Sequence, residues 1–215
     1  MTIRKATAKD LDFLVEAVVS AEKSGTDVLS YSTIFGLEES EVRRVLSAMI
    51  AENEGYCELS IDSFLVAEVE GELAGAIAGW IEGEDEIPSA IVKANLLFTF
   101  MPESALVNLR EVAPLLDEVH IPRTVGALQL ESIYTVEKFR GHKIARQIIE
   151  KHIEIAKQKN PELSKVQIIL SDVNESALKA YKNADFELTL HKKSEDPFIC
   201  KILPSSGNYC MEKSI

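Results

Sequence analysis

Two apolar runs, Phe64–Val69 and Leu73–Trp80, flank the pair Glu70-Gly71, and this arrangement constrains the fold more than any other feature of the chain. β-rich runs joined by so tight a turn read as an antiparallel hairpin, so part of the sheet must be antiparallel. The flanking segments carry a different period. Leu11, Leu14, Val15, Val18 and Val19 recur at i, i+3, i+4, i+7 and i+8, one apolar stripe on a helix. Thr7 and Asp10 open that helix as a capping pair, with an acid in place of the usual Glu or Gln, and Ser24-Gly25 closes it. Val42, Val45, Leu46, Met49 and Ile50 repeat the stripe on a second helix that stops before Gly55. Ile3–Ala6 precedes both as a short strand.

After the hairpin the signal changes. The acidic loop Glu82–Glu86 leads into helical stretches at Ile91–Phe100 and Ser104–Leu116. About 40 residues cannot bury enough surface to stand alone, so 82–124 reads as a helical insert between strands. Leu128–Val136 is then a strand and Lys143–Gln158 a strongly amphipathic helix. Val166–Leu170 is a strand, Ser176–Asn183 a short helix, and Glu187–His191 and Tyr209–Lys213 are late strands. Strands and helices are mixed rather than strictly alternating. The expectation is one α/β domain over residues 1–215, with an α+β mixed sheet.

Composition narrows the function classes. Of 215 residues 46% are apolar and no low-complexity stretch appears, which excludes disorder. The longest apolar run, Leu65–Trp80, is broken by Glu68, Glu70 and Glu72, so no membrane span is expected. A formal net charge of −12 speaks against nucleic acid, whose binding needs a basic face. It suits a cationic partner such as an amine, although acidic surfaces also simply keep proteins soluble. Met1–Thr7 has no apolar leader, and the three cysteines, Cys57, Cys200 and Cys210, form no paired framework; a cytoplasmic protein is expected. His120, His142, His152 and His191 lack metal-ligand spacing, so no metal is expected.

The informative segment is Leu130–Arg146. A strand runs into a short loop with an Arg-Gly pair, and the loop opens onto the long helix. The first N–H groups of a helix lack internal partners and point out at its positive end, a natural cradle for phosphate. Gly141 lets a ligand approach the backbone, and Arg140, Lys143 and Arg146 add positive charge. An ordinary solvated turn remains the alternative reading of these residues alone.

Arg140-Gly141-His142-Lys143-Ile144-Ala145 resembles the Gln/Arg-x-x-Gly-x-Gly/Ala loop of the GNAT superfamily of acetyl-CoA-dependent N-acetyltransferases, with Lys143 where that family prefers glycine. Asn174 through Phe186 looks like the same family's Asn-x-x-Ala-x-x-x-Tyr-x-x-x-Gly-Phe segment, with Asp185 in place of glycine. The resemblance is strong over about residues 128–186 and implies a GNAT-like fold: strand, two helices, hairpin, insert, strand, helix, strand, helix, two strands. It implies acetyl-CoA as co-substrate, held by Arg140, Gly141, His142, Lys143, Ile144, Ala145 and Arg146 together with Asn174. Backbone N–H groups of Ile133, Tyr134 and Thr135 would meet the developing oxyanion.

The implied reaction is direct acetyl transfer to a primary amine of a small molecule or protein. Freeing the lone pair of an alkylamine at neutral pH costs about 4–5 kcal/mol, so a base is needed. Glu131 is the candidate, with strand alternation placing it on the same face as Ile133; a glutamate that is solvated or paired with a lysine is the competing reading. Tyr181 is the implied proton donor to the thiolate, against a plain core aromatic. Asp27 and Tyr31, in the connection between the first two helices, would touch the acceptor, although a solvated loop fits equally well. The acid surplus, Glu82–Glu86 included, favours a cationic acceptor. A homodimer is a further expectation, with Tyr209–Lys213 available to pair across chains. The rival class is a non-catalytic acyl-CoA sensor of the same fold, suggested by the Lys143 and Asp185 departures.

Overall fold

The computed structural model describes residues 1–215 except the side chain of Asp85. The strands are β1 (Thr2–Lys5), β2 (Phe64–Val69), β3 (Glu72–Ile81), β4 (Leu128–Thr135), β5 (Lys165–Ser171), β6 (Glu187–Lys193) and β7 (Gly207–Ser214). The helices are α1 (Leu11–Lys23), α2 (Ser30–Phe35), α3 (Glu39–Glu52), α4 (Ser89–Phe100), α5 (Glu103–Val119), α6 (Ile144–Lys159) and α7 (Glu175–Lys182). Among the described residues the strands form one sheet ordered β1-β2-β3-β4-β5-β7-β6. Every neighbouring pair is antiparallel except β4–β5, which is parallel.

The hairpin is as the sequence implies. Glu70 and Gly71 both take positive φ, 53° and 84°, which matches the twist of the strands they join. Period-two burial then splits the sheet into two faces. Phe64, Val66, Ala76, Ala78 and Trp80 pack against the α1, α3 and α4 side, while Leu65, Ala67, Ile77 and Ile81 pack toward α6. Asp10 secures the first corner: its carboxylate accepts from the N–H of Thr7 at 2.8 Å and pairs with Arg4, whose hydrogen bond holds its pKa down at about 2.

Three expectations need correction. The connection after α1 contains α2, whose six residues are too few for a stripe to show. The acidic loop is not a free acidic surface: buried Glu82 accepts from the Trp80 indole at 3.0 Å and from Ser89 at the start of α4, and Glu84 pairs with Lys159. β7 is interior, bonded to β5 and β6, so Tyr209–Lys213 has no edge to offer another chain; the exposed edges are β1 and β6. The insert does share the main core through Val92, Leu96, Met101 and Ala105. Among the described residues no helix is long and apolar enough to cross a membrane.

α6 lies close on β3 because two glycines leave room. A Cβ on Gly75 would stand 3.1 Å from Ile144, and one on Gly79 would stand 2.6 Å from the His152 ring. His152 is buried, its Nε2–H donating to the Ile77 carbonyl at 2.9 Å, and burial pushes its pKa down to about 4. Gly79→Ala is expected to cost about 1–3 kcal/mol, read from the urea midpoint. The His152 ring stays neutral in the fold while the unfolded chain protonates near 6.5, so stability is full above that pH and falls toward about pH 4. His152→Gln should flatten this part of a plot of urea midpoint against pH.

Candidate active site

β4 and β5 pair at only two positions, Leu128↔Val166 and Gln129↔Gln167. Beyond them β4 stays on β3 and β5 stays on β7, so the sheet parts into a V. Past Gln129 the backbone groups of β4 that face β5 have no strand partner. A bulge accentuates the parting. Ala76↔Tyr134 and Ala78↔Glu131 enclose one extra residue on β4, where Ser132 takes φ 50°. This breaks the expected alternation. Ile133 packs on the α6 side with Leu130, while Glu131 faces the other way, so Glu131 and Ile133 do not share a face.

A cavity of about 320 Å³ occupies the V. Glu131, Ser132 and Ile133 line one wall, Leu170, Ser171, Asn174 and Tyr181 the other. Tyr134 instead turns its ring to Phe13, 5.7 Å away, and Thr135 accepts from the Arg140 guanidinium at 3.4 Å.

At the end of β4 the chain turns into α6. Among the described residues the N–H groups of Gly141 through Arg146 donate to no backbone acceptor, and the first amide of this run that does is Gln147, onto Lys143. Gly141 and Lys143 carry φ 83° and 59°. Lys143, at the position where the resembled loop has glycine, keeps left-handed backbone at a steric cost. Asp185 does the same at φ 67°. Arg140, His142 and Lys143 are exposed around the amides, whereas Ile144 is buried in the core and Ala145 packs beside it. Arg146 contributes its amide alone: its guanidinium is tied to Glu150 at 2.8 Å and to the Asn183 carbonyl at 3.0 Å. These amides lead into the positive end of a 16-residue helix, a chemistry that suits an anion.

Across the V, Asn174 caps α7, its side-chain oxygen accepting from the Ala177 N–H at 3.1 Å. Tyr181 follows on α7. Its ring is buried and packs 6.3 Å from Phe186, and its hydroxyl makes no hydrogen bond with the protein among the described residues. Burial raises its pKa, so the hydroxyl keeps its proton at neutral pH.

Glu131 is half-buried and its partner is an arginine rather than a lysine. Arg123 binds it through Nε at 2.9 Å and through Nη2, with the guanidinium lying 5.4 Å over the Trp80 ring. Beneath them Glu58 is buried and pairs with Lys93, which lies 5.7 Å over the buried ring of Tyr31. Burial, assisted by Glu58, raises the Glu131 pKa above the usual carboxylate range despite the pull of Arg123. Arg123, Glu58 and Lys93 were not singled out from the sequence. The legible signals were a lone lysine inside the apolar stretch Ile91–Phe100 and a lone glutamate between Cys57 and Leu59. Tyr31 belongs to this buried cluster rather than to the cavity wall; Asp27 is exposed and does not line it, and Glu22, Ser24 and Ser30 stand there instead. Cys57 and Cys210 are buried, and burial, with Glu58 beside it, pushes the Cys57 thiol up to about 12.

Gly141 has open space around it, so Gly141→Ala tests the backbone alone: it should cost about 1–2 kcal/mol. Lys143→Gly should hold or raise the melting temperature. Thermal denaturation of the two variants checks both.

The model of the "Acetyltransferase (GNAT) family" matches residues 35–186. Among solved structures the chain is similar to an N-acetyltransferase from Staphylococcus aureus Mu50, at 18% identity and a TM-score of 0.65, with 99% of this chain and 100% of that one covered. It is also similar to a ribosomal-protein-alanine N-acetyltransferase from Brucella melitensis, at 16% identity and a TM-score of 0.52, with 100% of each chain covered. A third likeness is to Rv2747 from Mycobacterium tuberculosis in complex with CoA and NLQ, at 12% identity and a TM-score of 0.52, with 100% and 99% covered. At these identities the likeness speaks for the fold. No curated protein matches the sequence.

Proposed function

The chain belongs to the GNAT family of acetyltransferases, and from that premise we propose that it moves the acetyl group of acetyl-CoA directly onto a primary amine of a small molecule or protein. The observation that carries this reading is the run of unpaired amides from Gly141 to Arg146, set at the end of a strand whose opened side holds Glu131 across from Tyr181. Diphosphate is the part of the donor that these amides suit, with the exposed charges of Arg140 and Lys143 beside them. Acetyl-CoA bound there supplies an activated carbonyl and a thiolate leaving group.

The residues then divide the work. Glu131 takes a proton from the acceptor ammonium, leaving the nitrogen its electron pair for attack on the carbonyl. The unpartnered amides of β4 around Ile133 face the charge growing on the acyl oxygen. As the carbon–sulfur bond breaks, Tyr181 gives its proton to the sulfur and regains one from the nitrogen, while Glu131 passes its own to solvent. A cytoplasmic setting goes with this reading. The Lys143 and Asp185 departures, which suggested a sensor, preserve the left-handed backbone that glycine would give, and so do not by themselves favour that alternative.

The test is turnover of acetyl-CoA with a panel of primary amines and peptides, followed by thiol release, beside calorimetric titration with CoA. Binding with turnover is expected; failure to retain CoA overturns the reading. Tyr181→Phe should slow turnover by roughly 100-fold and leave CoA affinity unchanged. Because the base must be ionised, kcat/KM should rise with pH through the elevated pKa of Glu131.

A further inference from the structure

We propose that Arg123 is a positioning residue that changes carboxylates during the cycle: it clamps Glu131 while the acceptor is absent and transfers to the free oxygen of Glu58 when Glu131 takes the acceptor's proton. This rests on the reading of Glu131 as the base.

The geometry carries the idea. Arg123 Nη2 touches Glu131 Oε1 and lies only 3.9 Å from Glu58 Oε2. That oxygen is buried and accepts no hydrogen bond, while the other oxygen of the same carboxylate is held by Lys93. An orphaned buried acceptor is costly, and this one stands next to a guanidinium that needs only about a 1 Å approach to satisfy it. The Trp80 ring beneath Arg123 is a flat, weakly directional support along which the guanidinium can shift.

Proton transfer supplies the occasion. The ammonium N–H bond breaks, its electron pair stays on nitrogen, and an O–H bond forms on Glu131; the guanidinium keeps all its protons and moves as a charge. Were Arg123 confined to Glu131, that step would strand a largely buried cation beside a neutral acid. Glu58 receives it instead. The groups facing this exchange are Glu58 and Cys57 before β2, Lys93 on α4, Tyr31 on α2, Glu22 on α1 and Glu82 at the end of β3.

The experiment uses the whole chain, with the best acceptor from the amine panel. In Glu58→Gln the Glu131 carboxyl carbon, followed by NMR and assigned by its loss in Glu131→Gln, should titrate at least one pH unit lower. At the same time kcat should fall tenfold or more with KM for acetyl-CoA unchanged. Arg123→Lys, whose compact ammonium lacks the planar fork that holds Glu131 through Nε and Nη2 while Nη2 stands next to Glu58, should lose kcat similarly and serves if Glu58→Gln does not fold. An unmoved Glu131 midpoint in Glu58→Gln, or wild-type kcat in Arg123→Lys, overturns the proposal. Wild-type turnover in Glu131→Gln would instead remove the base reading itself; an inactive Glu131→Gln with unchanged Glu58→Gln leaves that reading and discards only the arginine's transfer.

Discussion

The parting of β4 from β5 after two residue pairs is the constraint on which the rest depends. A sheet normally satisfies its backbone groups strand by strand, and leaving a strand half unpaired inside a protein is unfavourable unless something else takes those groups. Here the bulge at Ser132 lets β4 follow β3 away, and β7 holds β5 on the other side. The opening places Glu131 and Tyr181 across one cavity and leaves β4 amides available between them. The left-handed turn at Gly141 and Lys143 then leads the chain from β4 into α6.

Beneath the cavity lies a second constraint of the opposite kind. Glu58, Lys93, Arg123 and Glu131 bring four charges into a region where each would be very costly alone. They are contributed by the segment before β2 (Glu58), the insert (Lys93 and Arg123) and β4 itself (Glu131). The insert is therefore not merely attached to the core: through Lys93 and Arg123 it supplies both positive charges that pair with Glu58 and Glu131. Buried pairs of this sort are a weak source of stability, and their usefulness lies in tuning Glu131, whose proton affinity is set by burial and Glu58 against Arg123.

The sequence made different parts of this legible for different reasons. The hairpin, the stripes of α1, α3 and α6, and the apolar run of β5 are local patterns, and each appears within a residue or two of its expected place. The short α2 does not reveal itself, because six residues hold under two turns of stripe. The shared face expected for Glu131 and Ile133 fails because one extra residue at Ser132 inverts the alternation, and nothing in Leu130-Glu131-Ser132-Ile133 announces a bulge. Glu82 reads as surface acid, yet the indole of Trp80 and the first turn of α4 draw it inside.

By itself, then, the chain determines which segments are helix or strand, where the long helix begins behind an Arg-Gly loop, and which tyrosine follows Asn174 two turns along. Those properties depend on residues close in sequence, through periodicity, capping and turn chemistry. Only the tertiary structure decided that β4 and β5 separate, that Lys143 takes left-handed backbone, and that Glu131 is met by Arg123 above a carboxylate and a lysine from distant segments. The reason is physical: burial and charge pairing are sums over neighbours that the folded chain assembles, and no window of consecutive residues contains them.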